Sequence, residues 1–164
     1  MDDLSLRWFT MDDAALVYHW RYDSTATQYS GDTSVAPWSS HVAWCNNIVR
    51  DQKTRRSAYM WIAESYSQPV GYVRLTATSA TGVYKISIAV DPEMRGCGVG
   101  TSMIKLCNAW CDEHGITPFA NIHNNNIASR KAFMSAGYTQ VLDDQQIANG
   151  KGSSDYGRYI YDST

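Results

Sequence analysis

Three glycines in the stretch RGCGVG, residues 95–100, have the spacing in this chain that most directly suggests chemistry. They follow an apolar run that ends at Asp91 and Pro92, and a segment with helical spacing comes after them. The chain therefore passes from a predicted strand to a predicted helix through a glycine-rich turn. Such a turn suits a phosphate group, because the first turn of a helix offers unpaired N–H groups and a positive dipole end, and glycine lets an anion approach them.

The spacing of these glycines excludes two common phosphate-binding loops. A P-loop needs G-x-x-x-x-G-K-S/T, and no lysine follows Gly100. A Rossmann fingerprint needs G-x-G-x-x-G, whereas the spacing here is G-x-G-x-G. A third pattern, R/Q-x-x-G-x-G/A, is filled completely from Arg95 to Gly100.

The elements that must position this loop follow from hydrophobic periodicity and from capping residues. They predict an α/β protein in which a mixed sheet carries helices on both faces. The predicted strands are 4–9 (an edge strand), 57–65, 69–78, 83–90, 118–123, 138–144 and 155–162, the last two around the turn NGKGSS. The predicted helices are 11–20 with Thr10 as a cap, one that Ser39 or Ser40 caps and that runs to about Arg50, 99–114, and 126–137, with a long loop or broken helix at 21–40.

A second motif, NNNIASRKAFMSAGY, follows the fifth predicted strand. Every position of the pattern N-x-x-A/S-x-x-x-Y/F-x-x-x-G-F/Y is filled, by Asn126, Ser129, Phe133, Gly137 and Tyr138. Together with the glycine loop, this motif resembles the GNAT superfamily of acetyl-coenzyme A-dependent N-acetyltransferases. The resemblance spans nearly the whole chain and implies a single GNAT domain over residues 1–164, with a six- to seven-stranded mixed sheet that is splayed in the middle.

The resemblance implies that acetyl-coenzyme A (acetyl-CoA) is the donor and that two parts of the chain bind it. Main-chain groups of the strand before the glycine loop would pair with the pantetheine arm, and backbone N–H groups of the loop would hold the pyrophosphate. Polar residues of the second motif would contact the pantetheine and phosphates, while its phenylalanine would pack near the thioester, in the core, or both. The residues concerned are Ile88, Ala89 and Val90; Arg95, Gly96, Cys97, Gly98, Val99, Gly100 and Thr101; and Asn126, Ser129 and Phe133.

Members of this superfamily transfer the acetyl group directly to an amine, so no covalent role is expected for Cys97. We expect the Val90 N–H to stabilise the oxyanion. A general base or a water relay must take a proton from the amine. The candidates are His123, Asp91, Glu64 and Tyr138, with Ser87 able to hold a water. Histidine is a residue type suited to this role, but His123 could equally serve only to bond the loop backbone ahead of the Asn126 cap. The chain departs from the family where many members have Glu and Tyr, since it has Asn121 and Phe133 there.

The first third of the chain forms the acceptor side in this superfamily. The stretch from His19 to Trp44 resembles the W-R-N-D…S…H-x-x-W pattern of N-acetyltransferases that act on nucleotide-linked amino sugars, with Tyr22 in place of the usual Asn. This resemblance implies that the acceptor is a small-molecule primary amine, such as an amino group on a UDP- or dTDP-linked deoxysugar. Tryptophan could stack on a base or sugar and arginine could bind a phosphate, although aromatic residues on helices commonly pack in the core. The candidate acceptor residues are Trp20, Arg21, Tyr29, His41 and Trp44.

Three other functions stay open. The first is an acetyltransferase for an N-terminal or lysine amine of a peptide, because acidic residues of the first third could attract basic tails. The second is an acetyltransferase for another small amine or an antibiotic. The third belongs to a different class, a non-catalytic CoA-binding module, because the usual catalytic Glu and Tyr are absent.

The charge of the chain gives no indication of nucleic-acid or membrane partners. The net charge is -2, the pI is near 6.0, and the basic cluster of Lys53, Arg55 and Arg56 is short. No apolar run reaches the roughly 18–20 residues of a membrane span, and the acidic start lacks the features of a signal peptide. We therefore expect a cytoplasmic protein with four reduced cysteines and no metal site. The oligomeric state stays open, a homodimer included.

Overall fold

The structure, a computed structural model, describes residues 3–29, 34–54, 56–141 and 155–163. The strands are β1 (Leu4–Trp8), β2 (Ala58–Ser65), β3 (Gln68–Ala77), β4 (Val83–Val90), β5 (Thr117–His123), β6 (Tyr138–Val141) and β7 (Tyr156–Tyr161). The α-helices are α1 (Ala14–Arg21), α2 (Ser24–Gln28), α3 (Trp38–Lys53), α4 (Val99–Glu113) and α5 (Ile127–Ser135), and short 3₁₀ helices cover Met11–Asp13 and Pro92–Met94. No helix within these four ranges is long and apolar enough to cross a membrane.

The strands form one seven-stranded sheet in the order β1-β2-β3-β4-β5-β7-β6. Every neighbouring pair is antiparallel except β4 and β5, which are parallel. The predicted mixed sheet is therefore confirmed, and β1 lies at one edge as expected.

Both faces of the sheet are covered, and β2 illustrates why. Successive side chains of a strand point to opposite faces. Tyr59 and Trp61 accordingly pack with α4 and α5 in one hydrophobic cluster, while Met60 and Ile62 pack with α1 and α3 in another. This two-sided burial fits a central strand that reads as a nearly continuous apolar run.

The sheet opens between its two parallel strands. β4 and β5 pair only at three positions, from Val83 with Thr117 to Lys85 with Phe119. Beyond this point β4 continues along β3 as far as Val90, while β5 continues along β7 as far as His123. The splayed sheet that the resemblance implied is therefore present.

Several local predictions are refined by the structure. The first predicted helix begins as a 3₁₀ turn, and the segment 21–40 contains the short helix α2. The assignment of Ser39 or Ser40 as a cap is wrong, because α3 starts at Trp38 and the carbonyl of Pro37 already accepts the His41 N–H at 3.1 Å. The turn NGKGSS, Arg55 of the basic cluster and the part of the sixth predicted strand beyond residue 141 lie outside the described residues.

Candidate active site

A cavity of about 640 Å³ lies at the opening of the sheet. It is bounded by the end of β4, the glycine loop, the first turn of α4, α5 and α2. Eleven of the thirteen residues predicted to bind the donor line it: Ile88, Ala89, Val90, Arg95, Gly96, Gly98, Val99, Gly100, Thr101, Asn126 and Ser129. Residues that we did not predict also line it: Thr25, Ala26, Met94, Ile127, Ala128, Lys131, Ala132 and Ser135.

The glycine loop needs its glycines for a second reason besides the one expected. Gly96 and Gly98 both have φ = 79°, in the left-handed region that favours glycine. A Cβ atom on either residue would meet no atom within 4 Å, so the protein itself leaves open space there. The backbone conformation of the turn, as well as access for an anion, therefore requires glycine at these two positions.

The first turn of α4 faces the cavity with unpaired backbone donors. Gly98 is the N-cap residue, no acidic side chain lies in the first turn, and the first helical hydrogen bond runs from the Ser102 N–H to the Gly98 carbonyl at 3.1 Å. The N–H groups of Val99, Gly100 and Thr101 precede that bond and have no intrahelical acceptor. This end of α4 therefore presents the positive potential that the sequence predicted for a phosphate.

A second helix N-terminus, that of α5, lies on the same cavity. Asn126 caps it by accepting the Ser129 N–H on its side-chain oxygen at 3.2 Å. Lys131 adds a cation two residues further on. The sequence held a signal for these missed residues, because Ile127, Lys131 and Ser135 are four apart and so share one face of the helix.

The glycine loop is tied to α2 by an ion pair. The Arg95 guanidinium donates to the Asp23 carboxylate at 2.7 Å, and the same carboxylate caps α2 through the N–H groups of Thr25 and Ala26. The hydrogen bond from Arg95 lowers the pKa of Asp23. This pair holds the start of α2 against the loop, which explains why α2 forms one wall of the cavity.

The end of β4 presents free main-chain groups to the opening. The Asp91 N–H donates to the Val70 carbonyl on β3 at 2.8 Å, so residues at every second position before it also bond to β3. The N–H and C=O groups of Ile88 and Val90 therefore point away from β3, where β5 has already diverged. The main chain of Ala89 points toward β3 instead, so only its side chain remains near the cavity.

His123 lies at the end of β5, beside the cavity wall. Its ring packs against Tyr29 and Tyr156 at centroid distances of 5.3 and 5.1 Å. Its Nδ1 accepts the Asn125 N–H at 3.1 Å, so the neutral ring carries its proton on Nε2. This tautomer makes the free nitrogen a hydrogen-bond donor, which is a poor arrangement for a general base.

Tyr138 and Phe133 are buried and do not line the cavity. The Tyr138 hydroxyl donates to the side-chain oxygen of Asn108 on α4 at 2.8 Å, and burial raises the pKa of this phenol strongly. Phe133 packs edge-on against the Tyr138 ring at 5.0 Å. Both residues therefore have a packing role, and Cys97, exposed on the loop, does not line the cavity either.

The two carboxylates considered as bases are already occupied. Asp91 accepts the Trp20 indole N–H at 2.9 Å on one oxygen and the Glu93 N–H at 2.9 Å on the other. Glu64 forms an ion pair with Arg7 at 2.9 Å. Asp91 thus anchors α1 to the end of β4, and neither carboxylate lines the cavity.

The candidate acceptor residues fall into two groups. Trp20 and His41 are almost fully buried, with relative exposures of 1% and 0%. His41 Nε2 donates to the Ala14 carbonyl at 2.8 Å, and Arg21 lies 3.5 Å from its Nδ1 and stacks on Trp44. Tyr29 is apart from these four, because it lines the donor cavity beside His123.

The contact between Cys45 and His41 does not form a nucleophilic pair. The Cys45 sulfur lies 3.4 Å from His41 Nε2, but that nitrogen donates to a backbone carbonyl. Burial raises the pKa of the Cys45 thiol to about 11 and lowers the pKa of His41. A thiolate is therefore disfavoured at this position. No group of three or more metal-ligating side chains occurs among the described residues.

Comparison with known families identifies the class of protein. The family model of the acetyltransferase (GNAT) domain matches residues 3–139, so the chain belongs to the GNAT acetyltransferase domain family. It is accordingly an N-acetyltransferase that uses acetyl-CoA as the acetyl donor. No curated protein sequence matches the chain.

Solved structures of acetyltransferases share the fold at low sequence identity. A spermidine N-acetyltransferase from Vibrio cholerae, in complex with CoA and spermine, is 12% identical with a TM-score of 0.79, over 98% of this chain and 95% of that one. The ribosomal L7/L12 α-N-protein acetyltransferase RimL, in complex with CoA, is 15% identical with a TM-score of 0.79, over 100% and 97%. The aminoglycoside acetyltransferase AAC(6')-Ib, with CoA and kanamycin, is 15% identical with a TM-score of 0.72, over 96% and 92%.

Proposed function

We propose that this acetyltransferase transfers the acetyl group directly to a primary amine of a small molecule, and that this molecule is a nucleotide-linked amino sugar. The observation that carries the proposal is the opening between β4 and β5. The cavity at this opening is lined by the end of β4, the first turn of α4, α5 and α2. A donor bound on the glycine loop can thus meet an acceptor that arrives from the side of α1 and α3.

The donor would bind mainly to the backbone. Its pyrophosphate would lie on the N–H groups from Arg95 to Thr101, with Lys131 and the first turn of α5 close to its other phosphate groups. Its pantetheine arm would pair with the free N–H and C=O groups of Ile88 and with the C=O group of Val90, which is the way a peptide adds to an open sheet edge. In this arrangement the thioester comes to the end of β4.

The chemistry would need little from side chains. The amine nitrogen would attack the thioester carbon and form the new C–N bond. The resulting oxyanion would accept a hydrogen bond from the Val90 N–H, and the C–S bond would then break. The ammonium proton leaves to water, and the departing thiolate takes a proton from water. Because none of the four candidate bases offers a free acceptor atom at the cavity, kcat/KM should follow the neutral fraction of the amine as pH rises.

The proposed acceptor rests on the residues that carry the resemblance to N-acetyltransferases of nucleotide-linked amino sugars. Arg21 and Trp44 form a cationic and aromatic surface of the kind that binds a phosphate and a planar base. Trp20 and His41 support this surface from the core. The proposed compartment is the cytoplasm.

The test is the release of CoA thiol from acetyl-CoA across a panel of acceptors. We expect turnover with UDP- or dTDP-linked amino sugars, and slower or no turnover with basic peptides, spermidine and aminoglycosides. Turnover confined to peptides would overturn the acceptor proposal and leave the transferase intact. Tight CoA binding without turnover of any amine would contradict the enzymatic proposal itself.

A further inference from the structure

Two guanidinium groups lie over the indole ring of Trp44. The central carbon of Arg21 is 3.9 Å from the ring centroid, and that of Arg74 is 5.1 Å from it. The three residues come from α1, β3 and α3, so no short stretch of sequence contains them. Two like charges contact one aromatic ring, which is an arrangement that an anion would stabilise.

Neither guanidinium has an acidic partner in the part of the chain that the structure describes. The ion pairs found there involve Arg7, Arg50 and Arg95. The Nε atom of Arg74 is buried and has no hydrogen-bond partner among the described residues. A buried cationic donor without a partner is costly, and a cation–π contact satisfies none of its N–H groups. A bound acceptor of hydrogen bonds would therefore stabilise this arrangement.

The position of Arg21 is fixed by a neutral histidine. His41 Nε2 donates to the Ala14 carbonyl, so its Nδ1 lone pair is available to a guanidinium N–H of Arg21 at 3.5 Å. Burial, and then the charge of Arg21, lower the pKa of His41, which keeps the ring neutral near pH 7. The histidine thus orients Arg21 and leaves the other guanidinium donors free for a ligand.

This cluster lies on the face of the sheet that α1 and α3 cover, which is the proposed acceptor side. Arg74 is paired with Ser87 across β3 and β4, three residues before Val90, or about 10 Å along the strand. None of Arg21, Trp44 and Arg74 lines the donor cavity. The cluster is therefore separate from the helix N-termini that suit the phosphates of acetyl-CoA, yet close to the proposed reaction centre.

We propose that Arg21 and Arg74 form an anion-binding subsite that binds the diphosphate of the acceptor, and that the Trp44 ring packs beneath the two guanidinium groups. Guanidinium groups bind phosphate through paired N–H donors, and two of them match the two phosphates of a nucleotide-linked sugar. This inference rests on the proposed function, because it deepens the identity of the acceptor. It also names Arg74, a residue for which no short motif provides a signal.

A binding experiment tests the subsite without requiring turnover. UDP is titrated into the protein in the presence of saturating CoA, so that the glycine loop is already filled. We expect Arg74→Met and Arg21→Met each to weaken UDP binding by about 10- to 100-fold, which corresponds to the loss of a charge-assisted hydrogen bond. The matched control is Arg50→Met, an exposed arginine of α3 away from the cluster, which should bind UDP as the wild type does. Equal UDP binding by the wild type and Arg74→Met, or none by the wild type, would overturn the subsite.

A kinetic experiment separates the subsite from the proposed function. With an amino-sugar nucleotide, Arg74→Met should raise KM by about 10- to 100-fold and change kcat little. With the same amino sugar as a simple glycoside, the variant and wild type should have the same KM. If no amino sugar is a substrate, the proposed function fails while the UDP titration still decides the subsite. The melting temperature of Arg74→Met should not fall, because methionine removes a buried unpaired charge, and a large fall would argue for a structural role.

Discussion

The proposed donor side and the proposed acceptor side of this protein offer a ligand different kinds of groups. On the donor side, the groups offered to a ligand are backbone N–H and C=O groups at two helix N-termini and at the free edge of β4. On the acceptor side, the groups are the side chains of Arg21, Trp44 and Arg74, each from a different element. The first surface depends on conformation, and the second depends on residue type.

This difference teaches which substitutions each side tolerates. A backbone site survives most side-chain changes, and it fails when a residue prevents the required φ or removes an N–H group. A side-chain site fails on a single truncation, while the backbone around it stays in place. One fold can therefore keep its donor and accept different amines, in agreement with the varied substrates of the acetyltransferases that share the fold.

The largest expected effect comes from removing one backbone donor on the donor side. Val90→Pro deletes the N–H that points into the opening, and it costs no sheet hydrogen bond because that group does not bond to β3. We expect kcat to fall by about 100- to 1,000-fold, as on loss of an oxyanion donor elsewhere, with the affinity for CoA nearly kept. Steady-state kinetics and CoA titration measure the two quantities.

The neighbouring residue supplies the control for this substitution. Ala89 bonds to β3 through its main chain, so Ala89→Pro should break the sheet and lower the melting temperature sharply. If Ala89→Pro folds well and Val90→Pro does not, the assignment of which main-chain groups face the opening is wrong.

A smaller effect is expected from the glycine loop. Gly98→Ala forces a side chain onto a residue at φ = 79°, which costs about 1–2 kcal/mol in the left-handed region. If the substitution destabilises the loop conformation that binds CoA by this amount, the Kd for CoA should rise by about tenfold. Gly115→Ala is the matched control, since Gly115 also has a positive φ of 67° and open space around its Cα but lies at the far end of α4. Equal CoA affinity in the two variants would show that the loop conformation is not used for binding.

The contrast between the two sides also explains what the sequence could predict. The glycine loop and the second motif are continuous stretches in which residue type reports backbone conformation and capping. For this reason the fold and the splayed sheet were predicted correctly. Eleven of the thirteen residues expected to bind the donor line one cavity, and their binding role stays a prediction. The second reason for Gly96 and Gly98 was not predicted, because a sequence does not reveal that their φ angles are positive.

Side-chain contacts between distant elements could not be predicted. Nothing near Arg74 in the sequence indicates that it meets Arg21 and Trp44. Likewise, Tyr138 matches its motif perfectly, yet its hydroxyl bonds to Asn108 in the core. A motif fixes the position of a residue along an element, and packing against other elements decides what its polar atoms meet.

The acceptor side should be sensitive to acid through His41. Burial lowers the pKa of this histidine in the folded protein, so below about pH 6.5 the unfolded chain binds a proton that the folded chain does not. The free energy of unfolding should therefore fall with pH from about 6.5 downward, by up to about 1.4 kcal/mol per pH unit, until the folded protein also protonates. Urea unfolding at pH 7.5 and 5.5 measures this fall, and His41→Gln should reduce it. The exposed His19 of α1 serves as the control, because His19→Gln should keep the full pH dependence.

A modest kinetic effect is expected at His123. Its Nδ1 is occupied by the Asn125 N–H, so the ring can support Tyr29 and donate a hydrogen bond but cannot easily accept a proton. His123→Ala should lower kcat/KM by less than about tenfold and leave the shape of its pH profile between pH 6 and 9 unchanged. Loss of the rising limb of that profile would instead restore His123 as the general base.

The smallest effect on activity is expected at Tyr138, although the second motif includes it. Its hydroxyl lies in the core against Asn108, and the residue does not line the cavity, so Tyr138→Phe should change kcat/KM by less than about twofold. The same substitution leaves the buried Asn108 oxygen without its donor, which should lower the free energy of unfolding by about 1–3 kcal/mol. Tyr138→Phe should thus lose stability and keep its activity, whereas Val90→Pro should lose activity and keep its stability. A large loss of kcat in Tyr138→Phe with unchanged stability would mean that the Tyr138 hydroxyl takes part in proton transfer. The backbone would then not carry the donor chemistry alone.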